Sequence, residues 1–225
     1  MKVDFIADLV CPWCYLGWRA LRQAVERRPD AGVSLAWRAY QLDPKIPDTG
    51  VDRQAYLAAK YPDRERTAGV GAALRALADE LGAPLAMERI TITPNTAAAH
   101  RLIRWAEGVG TQAAAVDALF AAYFVEGRDI GDPDTLADIG ATVGLGRLDV
   151  LGRLSEGVDI DTVAVEHQTA VEAGVTGVPF VVFSGRFGVM GAQSPERYLK
   201  AIDKLSASEI DGGGDQGLNP VRSPA

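Results

Sequence analysis

The chain has 225 residues, 48% of them hydrophobic and 24% charged, enough for a well-cored globular protein of one or two domains. Its formal net charge of -7 argues against a nucleic-acid surface, which needs clustered Lys and Arg to replace phosphate counterions. The longest uncharged stretches, such as Val175 to Gly185, are broken by Gly and Pro and fall short of the roughly 20 apolar residues of a spanning helix, so no membrane segment is read.

Val3 to Leu9 is rich in Val, Phe, Ile and Leu and suits a short strand buried on both faces. After it the period changes. Leu16, Ala20, Leu21, Ala24 and Val25 recur at helical spacing with charged residues between them, which predicts an amphipathic helix ending near Pro29. A second strand follows over Val33 to Tyr40. Strand, helix and strand within about 40 residues open a βαβ unit.

From Asp43 to about Asp159 the pattern is helical, with segments at Arg53–Lys60, Arg64–Leu81, Thr96–Glu107, Gln112–Val125 and Pro133–Val143. Asn95 and Asp132 read as N-caps, and Pro133 fits a first helical position. A further helix spans about Asp161 to Ala173. It leads into Val178–Phe183 and Phe187–Gly191, two strands around the tight turn Gly185-Arg186, and a last helix from Ser194-Pro195-Glu196 to about Leu205. The expected division is therefore a discontinuous unit of residues 1–43 plus 160–207, a helical insertion over 44–159 and a flexible tail over 208–225.

The only two cysteines stand in Cys11-Pro12-Trp13-Cys14, directly after the first strand, which reads as a thiol–disulfide site. With Cys11 as N-cap and Pro12 at the first helical position, Cys11 faces unpaired backbone donors and the positive end of the helix dipole. Both stabilise a thiolate, so Cys11 is the predicted nucleophile. Cys14 lies one turn on, within disulfide reach, as the resolving thiol. Asp8, three residues upstream, would either accept the Cys14 proton or raise the cysteine pKa by repulsion, and the sequence leaves both open. Half of a zinc site is the rival reading. A closed site needs four ligands, and the only histidines are His100 and His167, so no metal is assigned. A site starting at residue 11 leaves no room for a cleavable leader, so the chain is expected to be cytoplasmic, where a lone cysteine pair cycles rather than staples.

In Thr176-Gly177-Val178-Pro179-Phe180 the proline can simply begin a strand. A cis Val178–Pro179 bond is the sharper reading, although only about 5–6% of X-Pro bonds in folded proteins are cis.

These marks, together with Cys14-Tyr15, Asn95-Thr96, Ala99-His100-Arg101-Leu102, Gly127-Arg128-Asp129-Ile130 and Gly191-Ala192-Gln193, carry a resemblance over roughly residues 1 to 206. The chain resembles the DsbA-like branch of the thioredoxin superfamily, most closely FrnE-type oxidoreductases. The resemblance implies an α/β protein, a thioredoxin fold interrupted by a large helical insertion domain, acting as a protein disulfide oxidoreductase or isomerase. It implies that Pro179 is cis and lies opposite the CxxC, where the Val178 backbone pairs with a client by strand addition. Cys11 and Cys14 are thus the expected catalytic residues, and Pro12, Trp13, Val178, Pro179 and His100 the expected client-binding ones. His100, between Ala99, Leu102 and Ile103, also reads as a core histidine. Trp13, Tyr15 and Phe180 are candidates for an apolar rim, with packing the stronger reading for Tyr15 and Phe180.

The implied partners are a protein or small-molecule thiol or disulfide. No cofactor is required beyond an external thiol, with glutathione a candidate co-substrate, and the chain is a monomer or homodimer. Kappa-class glutathione transferases and 2-hydroxychromene-2-carboxylate isomerases share the architecture and place a serine where Cys11 stands. Retention of both cysteines favours dithiol exchange over that alternative, and a small-molecule role stays open.

Overall fold

The computed structural model describes residues 1–210, without the side chains of residues 64–67 and 208–210. At its centre β1 (Lys2–Ala7) pairs in parallel with β2 (Ser34–Ala39), from Lys2 opposite Ser34 to Ala7 opposite Ala39. Its other edge pairs antiparallel with β5 (Phe180–Phe183), which turns into β6 (Phe187–Met190), giving the order β2-β1-β5-β6. Val3, Phe5 and Ala7 are fully buried on one face of β1, while Asp4 and Ile6 on the other are only half covered. The strand is thus one-sided rather than buried on both faces.

α1 (Pro12–Glu26) is the crossover between β1 and β2. It buries Leu16, Trp18, Ala20, Leu21 and Ala24, the stripe its sequence period indicates. Each buried leucine contributes about 1.5–3 kcal/mol of apolar transfer energy. α9 (Pro195–Ile210) packs beside α1, with Tyr198 and Ile202 turned into the same core.

The outer edge of β2 is closed by side chains. Gln112 Oε1 accepts from the Trp37 amide at 2.9 Å, Glu166 Oε2 from the Ala39 amide at 3.0 Å and His167 Nδ1 from the Gln41 amide at 3.2 Å. Alternate amides of an edge strand are thereby satisfied without another strand, which blocks further pairing there.

Between β2 and β5 lie α2 (Arg53–Lys60), α3 (Arg64–Glu80), α4 (Ala97–Gly108), α5 (Gln112–Ala121), α6 (Pro133–Thr142), α7 (Arg147–Ser155) and α8 (Ile160–Glu172). The architecture is a thioredoxin fold with a helical insertion. Two details differ from the helical pattern of the sequence. β3 (Val51–Asp52) and β4 (Ile92–Thr93) form a two-residue antiparallel pair, too short to show a period, and α7 is a further helix within the helical stretch, beyond the segments named from the sequence. α5 also gives way at Ala122 to a π-type turn over Ala122–Glu126. Gly127 ends it at φ 74°, where a Cβ would meet Arg89 O at 2.6 Å.

Aromatic rings join the insertion to the sheet layer. Trp37 meets Phe120 at 5.8 Å and Tyr15 stacks on Phe124 at 5.3 Å. One contiguous core therefore spans both parts. α9 continues to Ile210, past the expected start of a tail at residue 208, and residues 211–225 lie outside the described residues.

Candidate active site

β1 ends at Ala7, and the turn after it delivers Cys11 to the N-cap of α1. The Cys11 amide donates to Asp8 O at 3.2 Å, closing the turn. Cys11 is extended (φ -88°, ψ 114°), Pro12 takes the first helical position, and the amides of Cys14 and Tyr15 donate to Cys11 O at 3.0 and 3.1 Å. The positive end of the α1 dipole is thereby aimed at the Cys11 sulfur. Both cysteines are free thiols, Cys11 6% exposed and Cys14 fully buried.

Across from Cys11 is the loop before β5. Its Val178–Pro179 bond is cis, and the Cys11 thiol donates to the Val178 carbonyl at 3.8 Å. The loop is held against α1 at Gly17, where an added Cβ would lie 3.1 Å from Pro179 Cγ and 3.5 Å from Ala192. Gly191, at φ 78°, turns the chain there, and its amide donates to Pro179 O at 2.8 Å.

Cys14 sits behind Cys11. Burial pushes its thiol well above the usual cysteine range, and Cys11 adds to this by hydrogen bonding and charge. The Asp8 backbone acts the other way, while the Asp8 charge raises it further. Asp8 Oδ2 accepts from the Leu42 amide at 2.7 Å, and Oδ1 faces His100 Nε2 at 3.6 Å. Among the described residues no group of three or more His, Cys, Asp or Glu is placed to hold a metal ion.

A model of the DSBA-like thioredoxin domain matches residues 2–203. The chain belongs to that family. Similar solved structures include a probable DsbA oxidoreductase from Streptomyces coelicolor, at TM-score 0.83 and 28% identity, covering 100% of this chain and 95% of its own. A 2-hydroxychromene-2-carboxylate isomerase is similar at TM-score 0.72 and 20% identity, over 95% of this chain and all of that one. The cytosolic disulfide reductase DsbM from Pseudomonas aeruginosa, in a structure with GSH, is similar at TM-score 0.62 and 20% identity, over 94% and 98% of the two chains. The latter two likenesses show the fold alone.

In this DSBA-like chain Cys11, Pro12, Cys14, Val178 and Pro179 come together, with Trp13 half-buried on the first turn of α1. His100 does not join them. It is 1% exposed and lodged between Trp37 and Asp8, so it offers a client no surface and the expectation of a binding role is corrected. Tyr15 also turns inward, its hydroxyl donating to Pro84 O at 3.1 Å, and Phe180 lays its ring over Gly188, where a Cβ would meet Phe180 Cζ at 2.6 Å. Both are packing residues. Gly17 and Trp37 were not singled out by sequence reasoning. A glycine on the apolar stripe one turn after the CxxC is the signal that could have flagged the first.

Proposed function

We propose that the chain catalyses thiol–disulfide exchange through Cys11 and Cys14, as an oxidoreductase or isomerase of protein or small thiol clients in the cytoplasm. The observation that carries this reading is the Cys11 sulfur at a helix N-cap, facing the Val178 carbonyl beside a cis proline, with a second free cysteine directly behind it. A helix N-terminus favours the anionic sulfur, and a backbone carbonyl at its side offers an acceptor to an extended client.

The Cys11 thiolate attacks one sulfur of a client disulfide. A Cys11–client bond forms, and the other client sulfur leaves as a thiolate. Cys14 then loses its proton and attacks Cys11 Sγ, forming the Cys11–Cys14 disulfide and releasing the second client sulfur as a thiolate that takes up the proton. The client is reduced by two electrons and the dithiol oxidised by two, and two external thiols, glutathione among them, restore it. In reverse the same steps oxidise a client, with direction set by the poise of the thiol pool. Val178 and Pro179 orient the client, and Pro12 and Trp13 form its near wall.

Equilibration with glutathione buffers tests the reading. A Cys11–Cys14 disulfide that titrates as one two-electron couple, together with insulin reduction lost on Cys11→Ser, supports it. An isomerase or transferase acting on a small ring substrate or electrophile would keep its activity after Cys14→Ala and leave insulin intact, which would overturn dithiol exchange.

A further inference from the structure

Asp8 and His100 are each 1% exposed, and neither Asp8 Oδ1 nor His100 Nε2, 3.6 Å apart, has a hydrogen-bond partner. The tautomer is set from the far side of the ring. Trp37 Nε1, which can only donate, lies 3.1 Å from His100 Nδ1, so Nδ1 accepts and the neutral imidazole carries its proton on Nε2. Nε2 faces Asp8 Oδ1 at 3.6 Å, beyond hydrogen-bond distance, while the Leu42 amide donates to Oδ2 at 2.7 Å. Asp8 meets the dithiol through its backbone instead. Its carbonyl accepts from the Cys11 amide at 3.2 Å, and its backbone hydrogen-bonds the Cys14 sulfur.

We infer that His100 is a positioning residue whose Nε2–H, fixed by Trp37, holds the Asp8 carboxylate as a stationary negative charge behind Cys14 rather than as the base that takes the Cys14 proton. The Leu42 amide holds Oδ2 and His100 faces Oδ1, and the charge of Asp8 opposes a thiolate at Cys14. The groups around Asp8 are Cys14 from α1 and His100 from α4, with His167 of α8 and Tyr123 of the turn after α5 also within its field. The functional consequence rests on Cys14 being the resolving thiol. By keeping Cys14 protonated, the pair prolongs the Cys11 mixed disulfide and leaves time for a second client sulfur to attack it.

The test does not depend on that activity. In a Cys11→Ser background Cys14 is the only cysteine, and a carbon-13 label on its Cβ reports its ionisation by NMR. Asp8→Asn and His100→Phe are each expected to lower the Cys14 midpoint. The double variant should go no further, and His100→Gln, which keeps a donor, should stay at the starting midpoint. His100→Phe leaving the midpoint in place while Asp8→Asn moves it would reduce His100 to packing. Asp8→Asn raising the midpoint or leaving it fixed would remove the opposing charge altogether. Imidazole nitrogen shifts of His100 in the unmodified chain must show the Nε2–H form, whatever the stability of the variants, and an Nδ1–H ring would overturn the assignment. A chain that passes these tests yet exchanges no disulfide with glutathione would sink the proposed activity and leave the positioning role standing.

Discussion

Gly17 and Pro179 meet through bare backbone on one side, with only 3.1 Å between the proline Cγ and the place a Gly17 Cβ would occupy. That contact sets how far the Val178 carbonyl stands from the Cys11 sulfur.

Gly17→Ala should therefore separate stability from activity. The alanine gains about 1 kcal/mol of helix propensity, offset by pressing the loop outward by a few tenths of an ångström, so the melting temperature stays nearly level. The exchange rate, which depends on placement at the reacting sulfur, falls about 3- to 10-fold. Gly17→Val, with two further carbons against Pro179 and Ala192, costs about 1–3 kcal/mol and most of the activity. Thermal melts beside kcat/KM on oxidised glutathione read both effects.

Trp13 offers a large half-buried surface beside Cys11. Trp13→Ala should raise KM for a peptide disulfide by about 10-fold and leave kcat near its starting value, as the loss of an aromatic contact implies. Steady-state kinetics with a short disulfide peptide check this.

The buried acids predict alkaline lability. Burial pushes Cys14 well above its ordinary 9.0 and Tyr123 from 10.0 to about 12. Both groups hold their protons more firmly folded than unfolded. Their contribution is therefore complete below pH 9 and lost as pH rises toward 12, and for Tyr123 it amounts to about 2–3 kcal/mol. The melting temperature of the reduced protein should fall steadily from pH 9 upward. Tyr123→Phe should start lower at pH 7, since its hydroxyl accepts from Arg53 and donates to Ile92 O, and then fall less between pH 10 and 12.

Glu166 serves two partners, accepting from the Ala39 amide at 3.0 Å and from Arg104 at 2.6 Å. Glu166→Ala leaves a buried β2 amide without its acceptor and should cost about 1–3 kcal/mol. Urea denaturation at pH 7 measures it, and an unchanged midpoint would mean water replaces the carboxylate.

What was legible in the sequence is what local spacing encodes. Two cysteines three apart after an apolar strand, with proline between them, place a thiol at a helix start, and Pro12–Glu26 forms as that pattern requires. Asp132 caps α6 through the Thr135 amide, whereas α4 takes Thr96 as its N-cap and Asn95, one residue earlier, accepts from the Ala97 amide. Illegible were contacts between distant segments. His100 looked like a client-binding or a core residue because its partners, Trp37 and Asp8, lie on other elements, and only the fold turns them toward it. Gly17 is silent for the same reason. β3 and β4 are two residues each, below any period, and α7 follows a glycine cap without a side-chain bond, leaving little local signal.

The central claim is that Cys11 attacks and Cys14 resolves, and trapping on Cys14→Ala tests it most directly. Incubated with oxidised glutathione or a disulfide-bonded protein and then quenched with acid, the variant should carry one disulfide-linked adduct per chain, mapped by mass analysis to Cys11. Cys11→Ser should carry none at the buried Cys14, and exchange should fall about 10⁴-fold or more, as when a nucleophile is removed. Absence of any adduct at Cys11, or capture by Cys14 in its place, would contradict the account.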